Sequence, residues 1–335
     1  MAFDRNDFGE KGEFESLGLR DPARPTPPHN EVTRKMLKTF LKNISPKFQM
    51  FTGVHELRKG NAIVQAAEYD RLKAQVRTET PENIALSGYK VYSQTDEDGI
   101  IDAIFRKIPN NRTFVEIGVQ SGVECNSLLL LLKDWRGVWI EGSEHYCRKI
   151  EDDLGAREFP HRFRVTSSFV TKDNIVQLLR DSIGFLGVDE LDFFSLDIDG
   201  NDRHVLEELI TSGVRPKVLC VEYNAKFPPP VAVTIRYSAT HVWDQSDYMG
   251  SSLQSFVDLL TPLGYRLVTC NIPGINAFFV REDLAHHFRL LDVEQLYQPF
   301  RIYLSPIVPA QPPSLGYLRE RLMATAPPAA GDREE

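Results

Sequence analysis

The chain alternates between strand-like and helix-like stretches, and this alternation restricts the fold more than any other feature. Short apolar runs are followed in turn by longer amphipathic runs. Such alternation joins parallel strands through right-handed helical crossovers and covers both faces of the sheet. The pattern therefore predicts an α/β fold, doubly wound. The predicted strands are 113–118, 137–142, 163–170, 192–198 and 217–224, and the predicted helices are 96–108, 124–135, 144–154, 171–183 and 201–213.

The sheet is predicted to end in a hairpin. After a helix in SSLQSFVDLLTPLG, the strands YRLVTCN and NAFFVRE are separated only by IPGI. This connection is too short for a crossover helix and suits a β-hairpin, so the last strand is predicted to run antiparallel.

The regions that flank the sheet domain differ from it in composition. Residues 1–30 are polar and end in a proline-rich stretch, which favours a flexible, extended arm. Residues 31–90 are predicted to form a helical cap and are the candidate surface for a homo-oligomer. The sheet domain is expected at 91–305, followed by a flexible Pro/Ala-rich tail at 306–335. The two predicted helices of the cap are 31–44 and 64–76.

Composition disfavours several classes of partner. The 335-residue chain has a formal net charge of −8, and its basic residues are scattered, so nucleic acid is not expected as a partner. No apolar stretch is long enough for a membrane span or for the core of a signal peptide, so we expect a cytoplasmic protein. The four cysteines are far apart and are expected to be buried free thiols.

Two carboxylates and a glycine turn are predicted to bind a nucleoside. Glu116 ends the first strand, Gly118 and Gly122 follow it, and Glu141 ends the next strand. Glycines at this edge let a ligand approach the backbone, and an acidic residue after the second strand can accept hydrogen bonds from a ribose diol. Gln120 replaces the central glycine of a dinucleotide fingerprint, and Glu116 would repel a pyrophosphate but attract a sulfonium. A merely structural tight turn is the alternative interpretation.

A second group of acidic residues follows the fourth and fifth strands. Asp197 and Asp199 lie on one side of the fourth strand by alternation, and Glu222 and Asn224 repeat this arrangement on the fifth. One of these carboxylates is predicted to act as a base or orienting group, and their oxygens are also candidate ligands for Mg²⁺. Asp202 either belongs to the group or caps the helix that follows.

Histidines and a long insertion supply further candidates. His204 follows the acidic cluster and is a candidate general base, although a histidine on the surface of a helix is the alternative. The insertion after the fifth strand offers aromatic and polar residues suited to binding a sugar. A packed loop is the alternative interpretation. These insertion residues are Tyr237, His241, Trp243 and Asp244.

The quoted strands and turns resemble a known family. YSQTDEDGIIDAIF, TFVEIGVQSGVECNSLLLL, GVWIEGS, FFSLDIDGND, VEYN and GINAFFVRED are similar to the FkbM-type S-adenosylmethionine-dependent methyltransferases over roughly residues 90–285. The resemblance implies a Rossmann-like class I methyltransferase sheet, mostly parallel with an antiparallel terminal hairpin, plus an N-terminal helical extension. It also implies S-adenosylmethionine as cofactor and O-methylation of a hydroxyl, commonly of a sugar, glycan or secondary metabolite.

The resemblance also implies roles for individual residues. Asp199, Gly200 and Asp202 match the end of a D-x-E-G-x-E segment, with Asp in place of both glutamates. Asp197 would close the cofactor pocket, and the segment SQTDEDG would fold over the cofactor. The resemblance and the interpretation of the strand ends together assign Gln94, Glu116, Gly118, Gly122, Glu141, Ser167 and Asp197 to the cofactor, and Asp197, Asp199, His204 and Glu222 to catalysis. The metal ligands, Asp197, Asp199, Glu222 and Asn224, are candidates from the strand ends only, because the resemblance does not require a metal.

Two hypotheses follow, from different classes of function. The first is a methyltransferase acting on a small-molecule or glycan acceptor. The second is a non-catalytic protein that keeps the nucleoside pocket for binding or assembly. A nicotinamide oxidoreductase is disfavoured by Gln120, which stands where a dinucleotide fingerprint requires glycine.

Overall fold

The computed structural model describes residues 54–154, 162–304 and 313–324. Contacts divide the chain into two units, Met1–Leu57 and Arg58–Glu335. The predicted arm and the predicted helix at 31–44 lie outside the described residues. Among the described residues, no helix is long and apolar enough to cross a membrane.

A seven-stranded sheet forms the centre of the second unit. Its strand order is β3-β2-β1-β4-β5-β7-β6. The first five strands pair in parallel, whereas β7 is antiparallel to both β5 and β6, which confirms the mostly parallel sheet and the terminal hairpin. The strands are β1 Thr113–Ile117, β2 Arg136–Glu141, β3 Phe163–Ser167, β4 Phe193–Leu196, β5 Val218–Glu222, β6 Tyr265–Cys270 and β7 Asn276–Arg281.

Helices pack on both faces of this sheet. They are α1 Val54–Glu79, α2 Glu97–Phe105, α3 Leu128–Leu132, α4 Glu144–Leu154, α5 Ile175–Leu186, α6 Asp202–Thr211, α7 Leu253–Leu260, α8 Val293–Leu296 and α9 Gly316–Ala324. Successive side chains of a strand point to opposite faces, so Phe114 lies in one core cluster and Val115 in the other. The first cluster includes residues of α2, α3 and α4, and the second includes residues of α5, α6 and α7. The doubly wound arrangement is therefore confirmed.

Two segments differ from their predicted structure. The helix predicted at 124–135 is only the short α3, because a buried carboxylate of β1 binds the N–H groups of Asn126 and Ser127 and holds those residues in a loop. Part of the predicted flexible tail is the helix α9, whose Leu318 and Leu322 are buried in the first core cluster. The apolar spacing of these two leucines explains why α9 packs on the domain.

Candidate functional site

The carboxyl ends of the five parallel strands form the edge at which the candidate site lies. Ligands of open α/β sheets bind at this edge. The strands end at Ile117, Glu141, Ser167, Leu196 and Glu222. The turn between β6 and β7 reaches the same edge, because Asn276 at the start of β7 pairs with Glu222 at the end of β5.

The glycine turn after β1 is shaped by contacts within the protein. Gly118 has a φ of +85°, and a Cβ atom there would lie 1.7 Å from the backbone oxygen of Asp197. Gly122 has a φ of +76°, and its Cβ would lie 2.4 Å from the ring of Trp139. Both positions therefore require glycine for the fold itself. The sequence interpretation, in which these glycines make room for a ligand, was incomplete.

Glu116 is hydrogen-bonded to the loop that precedes α3. Its buried carboxylate accepts hydrogen bonds from the backbone N–H groups of Asn126 and Ser127, each at 2.8 Å, and from the Ser127 hydroxyl. Trp139 donates its indole N–H to the same hydroxyl at 2.8 Å. Burial raises the pKa of Glu116, and these hydrogen bonds oppose the increase. Glu116 thus holds the loop before α3, and its predicted contact with a cofactor stays a prediction.

This role of Glu116 gives a prediction about stability. Glu116→Gln should lower the free energy of unfolding by about 2–3 kcal/mol, because the new amide turns a donor toward buried N–H groups that need an acceptor. Urea denaturation followed by circular dichroism measures the change. The matched control is Glu207→Gln, which removes only a surface ion pair with Arg203 and should cost about 0.5 kcal/mol or less. Equal effects of the two substitutions would contradict the role assigned to Glu116.

Glu141 lies at the predicted position beside the turn and is also hydrogen-bonded within the chain. Its Oε2 accepts from the backbone N–H of Gln120 at 2.7 Å, and its Oε1 accepts from the N–H of Ser143 at 2.8 Å. Gln120 has a positive φ of +49°, so this contact holds a backbone conformation that a non-glycine residue rarely adopts. Ser167 pairs with Glu141 in the β2–β3 register and is exposed at the same edge.

Three of the predicted acidic residues come together. One carboxylate oxygen of Asp197, one of Asp199 and one of Glu222 all lie within 4.8 Å of one another. Burial, followed by the charges of neighbouring carboxylates, holds the pKa of Asp197 and that of Glu222 well above their usual ranges. The carboxyl groups of Asp197 and Glu222 are close enough to interact directly, and both have a raised affinity for protons.

Asp199 and Asp202 lie at the turn between β4 and α6, and Asp202 does not cap the helix as one interpretation predicted, because its carboxylate binds N–H groups that precede the helix. Asp199 has a φ of +54°, and burial raises the pKa of its carboxyl, while the charge of His241 opposes this. Asp202 accepts from the N–H groups of Ile198 and Gly200 at 2.9 and 2.8 Å, and burial raises its pKa to about 6. Asp202 therefore shapes the turn that carries Asp199.

Two predicted residues are engaged elsewhere. The Nδ2 group of Asn224 donates to the backbone oxygens of Asp247 and Met249 at 3.1 and 3.0 Å, so it fastens the following loop. His204 donates from Nε2 to the backbone oxygen of Ile235 at 2.8 Å. The structure therefore gives both residues a role in holding the insertion, and their predicted roles as metal ligand and general base stay predictions.

The insertion lies against the acidic turn. Asn201 donates from Nδ2 to the backbone oxygen of Ser238 at 2.7 Å, and the N–H of His241 donates to the same oxygen at 3.0 Å. The imidazole of His241 lies on Gly200, where a Cβ would meet its Cδ2 atom at 2.2 Å. The Nε2 atom of His241 is buried without a hydrogen-bond partner. The predicted acceptor loop is thus fixed beside Asp199.

The other loop residues singled out from the sequence stabilise the insertion itself. The hydroxyl of Tyr237 accepts from the N–H of Lys172 at 3.1 Å, and the indole of Trp243 donates to the backbone oxygen of Ser246 at 2.8 Å. Asp244 is exposed and accepts from the N–H of Ser246. These contacts indicate an ordered loop.

The segment SQTDEDG, which the family resemblance predicts to fold over the cofactor, contributes carboxylates to a buried hydrogen-bond network. Glu97 accepts from the side-chain amides of Asn271 and Asn276 at 2.8 and 3.0 Å. Asp96 accepts from the hydroxyl of Tyr69 at 2.8 Å, and burial raises the pKa of Asp96 to about 7. Gln94, a predicted cofactor residue, is half-buried in this segment. The density of carboxylates before α2 was the one sequence signal for this network.

The carboxylates of this edge fall into two sets, which differ in whether they accept hydrogen bonds from the chain. Among the described residues, none of them forms an ion pair with a lysine or arginine. One set accepts N–H or O–H groups of the chain and consists of Asp96, Glu97, Asp98, Glu116, Glu141 and Asp202. The other set, Asp197, Asp199 and Glu222, accepts no hydrogen bond from an N–H or O–H group of the described chain. All three side chains are part-buried, so water or a ligand can supply donors to them.

Comparisons with known proteins give matches of structure only. No family model and no curated protein matches the sequence. An S-adenosylmethionine-dependent methyltransferase from Clostridium acetobutylicum ATCC 824 matches with a TM-score of 0.35 and 9% identity over 55% of this chain and 90% of that chain. The O-methyltransferase from Bacillus cereus in complex with SAH matches with a TM-score of 0.32 and 15% identity over 50% and 72%.

A third matching structure is the glycopeptide N-methyltransferase MtfA complexed with S-adenosyl-L-methionine. It matches with a TM-score of 0.34 and 11% identity over 57% of this chain and 95% of that chain. These TM-scores are too low to support a function. The proposal of a function therefore rests on the chemistry of the carboxyl edge of the sheet.

Proposed function

We propose that the protein is an S-adenosylmethionine-dependent O-methyltransferase that acts on a hydroxyl of a sugar, glycan or secondary metabolite, as the FkbM-type enzymes do. One observation carries the proposal. Asp197, Asp199 and Glu222 meet at the carboxyl edge without a donor from the described chain, and this arrangement favours a cationic ligand over an anionic one. A dinucleotide pyrophosphate would be repelled there, which argues against an oxidoreductase.

The residues of the edge fit a nucleoside with a sulfonium. Glu141 accepts one N–H group at each oxygen and keeps further lone pairs for the two hydroxyls of a ribose. Asp197 lies next to Gly118, where the edge is narrow, and its charge favours a positive group. When bound, the cofactor supplies a methyl group on a positively charged sulfur. Gln94 and Ser167 remain proposed contacts at the margins of this pocket.

The chain's part in the reaction is alignment and proton acceptance. The acceptor oxygen forms a bond to the methyl carbon as the carbon–sulfur bond breaks, and the electron pair of that bond stays on sulfur. The hydroxyl proton passes to a carboxylate, for which we propose Asp199, because the adjacent Gly200 lies against His241 of the insertion that is predicted to hold the acceptor. This route needs no metal. Bound Mg²⁺ is the alternative, and it predicts that a chelator stops methyl transfer.

The location, the partners and the assembly of the enzyme are proposed from the sequence alone. We propose a cytoplasmic enzyme with a small-molecule or glycan acceptor, without nucleic acid as a partner, that forms homo-oligomers through its N-terminal helices. Sedimentation of the full chain beside a chain that begins at residue 54 tests the role of the N-terminal residues in assembly. If both proteins sediment with the same number of chains per particle, the residues before residue 54 do not form the interface.

Glu141 provides the direct test of the cofactor pocket. Glu141→Ala should weaken S-adenosylhomocysteine binding by about 1.5–3 kcal/mol, or roughly 10- to 150-fold, the range of hydrogen bonds to a charged group. Calorimetry with the purified protein measures this affinity. Glu144→Gln, which changes an exposed residue paired with Arg148 on α4, is the control and should bind normally. Normal binding by Glu141→Ala would remove the residue from the site.

The proposal as a whole is tested by two measurements. Mass spectrometry of the protein as purified is expected to detect co-purified S-adenosylmethionine or S-adenosylhomocysteine. Transfer of a labelled methyl group from S-adenosylmethionine to simple methyl glycosides is expected to follow. Absence of measurable affinity for S-adenosylhomocysteine would contradict the proposal directly, whatever the acceptor.

A further inference from the structure

Asp96 is a buried carboxyl group at the junction of three elements, and it lies outside the acid group of Asp197, Asp199 and Glu222. We propose that Asp96 is a pH-sensitive latch. In its neutral form it fastens the second half of α1 and the segment SQTDEDG to the β6–β7 turn, and it loosens them as it ionises. This inference does not depend on the proposed function, because it concerns contacts within the chain only.

The side chain of Asp96 joins elements that are distant in sequence. Asp96 is the N-cap residue of α2, yet its side chain makes no cap hydrogen bond. Its Oδ2 instead accepts from the hydroxyl of Tyr69 on α1 at 2.8 Å and from the N–H of Ile272 in the β6–β7 turn at 3.4 Å. Gly88 also packs against it, since a Cβ there would lie 2.7 Å from Oδ2. One carboxyl group therefore holds α1, the start of α2 and the hairpin together.

The apolar contact that supplements this junction is small. Leu72 of α1, Ala85 and Ile272 form a hydrophobic cluster of their own, apart from the two core clusters of the sheet. Segments with few buried apolar contacts open locally at a low free energy. The state of one carboxyl group can therefore change a large part of what holds the second half of α1.

Asp96 has the poorest supply of donors in a run of three buried carboxylates. Glu97 accepts four hydrogen bonds from the chain, and so does Asp98. Asp96 accepts three, and only the one from Tyr69 is shorter than 3.4 Å. A buried carboxylate is costly when donors or a cation do not offset its charge. Of the three, Asp96 is thus the group whose ionisation costs most in the closed junction.

The contacts around Asp96 suit a neutral carboxyl group. Thr95 donates its hydroxyl hydrogen to Glu97 at 2.7 Å, and the same hydroxyl oxygen lies 3.4 Å from Oδ1 of Asp96. A proton on Oδ1 can be donated to that oxygen while Oδ2 accepts from Tyr69. Burial raises the pKa of Asp96 to about 7, and the charge of Glu97 acts in the same direction.

No cation of the described chain neutralises Asp96 when it ionises. The titratable groups around it are Tyr69, Asp70 and Lys73 of α1, Lys90, Glu97 and Asp98 about the start of α2, and Arg301 beside the β6–β7 turn. Each of the three cations donates to a backbone oxygen at 2.7–2.9 Å. Among the described residues, none of them forms an ion pair with Asp96.

The raised pKa gives the direction of the switch. In an opened junction the carboxyl group meets water and regains its ordinary pKa of about 3.9. The closed form therefore binds the proton more tightly, and this advantage is complete below about pH 4 and is lost as the pH rises to about 7. The equilibrium constant for opening rises by up to about tenfold per pH unit in this window and stays level at higher pH.

Hydrogen exchange of the full chain, followed by mass spectrometry, tests the latch. Protection factors correct for the intrinsic effect of pH on exchange and are compared from about pH 5 to about pH 9. The amides of residues 69–79 are expected to lose protection by up to about tenfold per pH unit until about pH 7 and to change little above it. The amides of α5, which packs in the second core cluster, are the internal reference.

Variants attribute this change to Asp96. Asp96→Asn keeps an oxygen for Tyr69 and supplies an N–H for Thr95, so residues 69–79 should lose no protection as the pH rises. Tyr69→Phe removes a hydrogen bond that lowers the pKa of Asp96, so the loss of protection should extend to higher pH. Asp258→Asn, an exposed carboxylate on α7, is the control and should behave as the wild type does.

Three results would overturn the latch. The first is wild-type protection of residues 69–79 that changes with pH no more than that of α5. The second is a loss of protection that persists unchanged in Asp96→Asn. If Asp96→Asn does not fold, Tyr69→Phe decides the question, and a pH profile at the wild-type position is the third contradicting result.

Discussion

Gly118→Ala is expected to lower the free energy of unfolding by about 2–5 kcal/mol and to abolish S-adenosylhomocysteine binding at ordinary concentrations. A side chain at the observed φ of +85° costs about 1–2 kcal/mol. The new methyl group would also lie 1.7 Å from the backbone oxygen of Asp197, so β1 and β4 must separate at their ends, at a further cost of about 1–3 kcal/mol. Urea denaturation and calorimetry measure the two effects.

The chain offers a control that separates conformation from contact. Gly187 also has a positive φ, +63°, but nothing lies within 4 Å of the Cβ it would carry. Gly187→Ala should therefore show only the conformational cost, about 1 kcal/mol, with normal cofactor binding. A Gly118→Ala protein that is no less stable than Gly187→Ala would show that the contact with Asp197 is absent in solution.

The comparison of Gly118 with Glu116 shows what the sequence could predict about the site. Strand periodicity placed both residues at the carboxyl edge, and the structure confirms that location. Periodicity does not reveal which other atoms of the chain contact these two residues. The backbone oxygen of Asp197 lies beside Gly118, and the N–H groups of Asn126 and Ser127 bind Glu116. Both contacts join residues distant in sequence, so neither leaves a local signal.

The acid group was predictable for the opposite reason. Its members lie at the ends of β4 and β5, which are neighbours in the sheet. The alternation of side chains along a strand and the adjacency of parallel strands were enough to bring Asp197 and Glu222 together. The fold was predictable in the same way, since the strand and helix runs are strongly periodic. The buried network around Glu97 was not, because its partners Asn271 and Asn276 come from the distant hairpin.

Asp199→Asn is expected to reduce methyl transfer by about 10²- to 10⁴-fold, the usual contribution of a positioned general base. The substitution keeps the size of the side chain and removes its capacity to take the hydroxyl proton. S-adenosylhomocysteine affinity should change little, because Glu141 and the glycine turn stay intact. Asp258→Asn is the control and should retain full activity. Turnover of the glycoside accepted by the wild-type protein, measured under saturating cofactor, gives the comparison.

Chelation decides whether Asp199 acts as a base or as a metal ligand. Both roles predict loss of activity in Asp199→Asn, so the substitution alone cannot separate them. If the carboxylate takes the proton directly, the wild-type enzyme should keep its activity in the presence of a chelator. If Asp197, Asp199 and Glu222 instead hold a divalent ion, the ion would lower the pKa of the acceptor hydroxyl, and chelation should stop turnover until Mg²⁺ is restored.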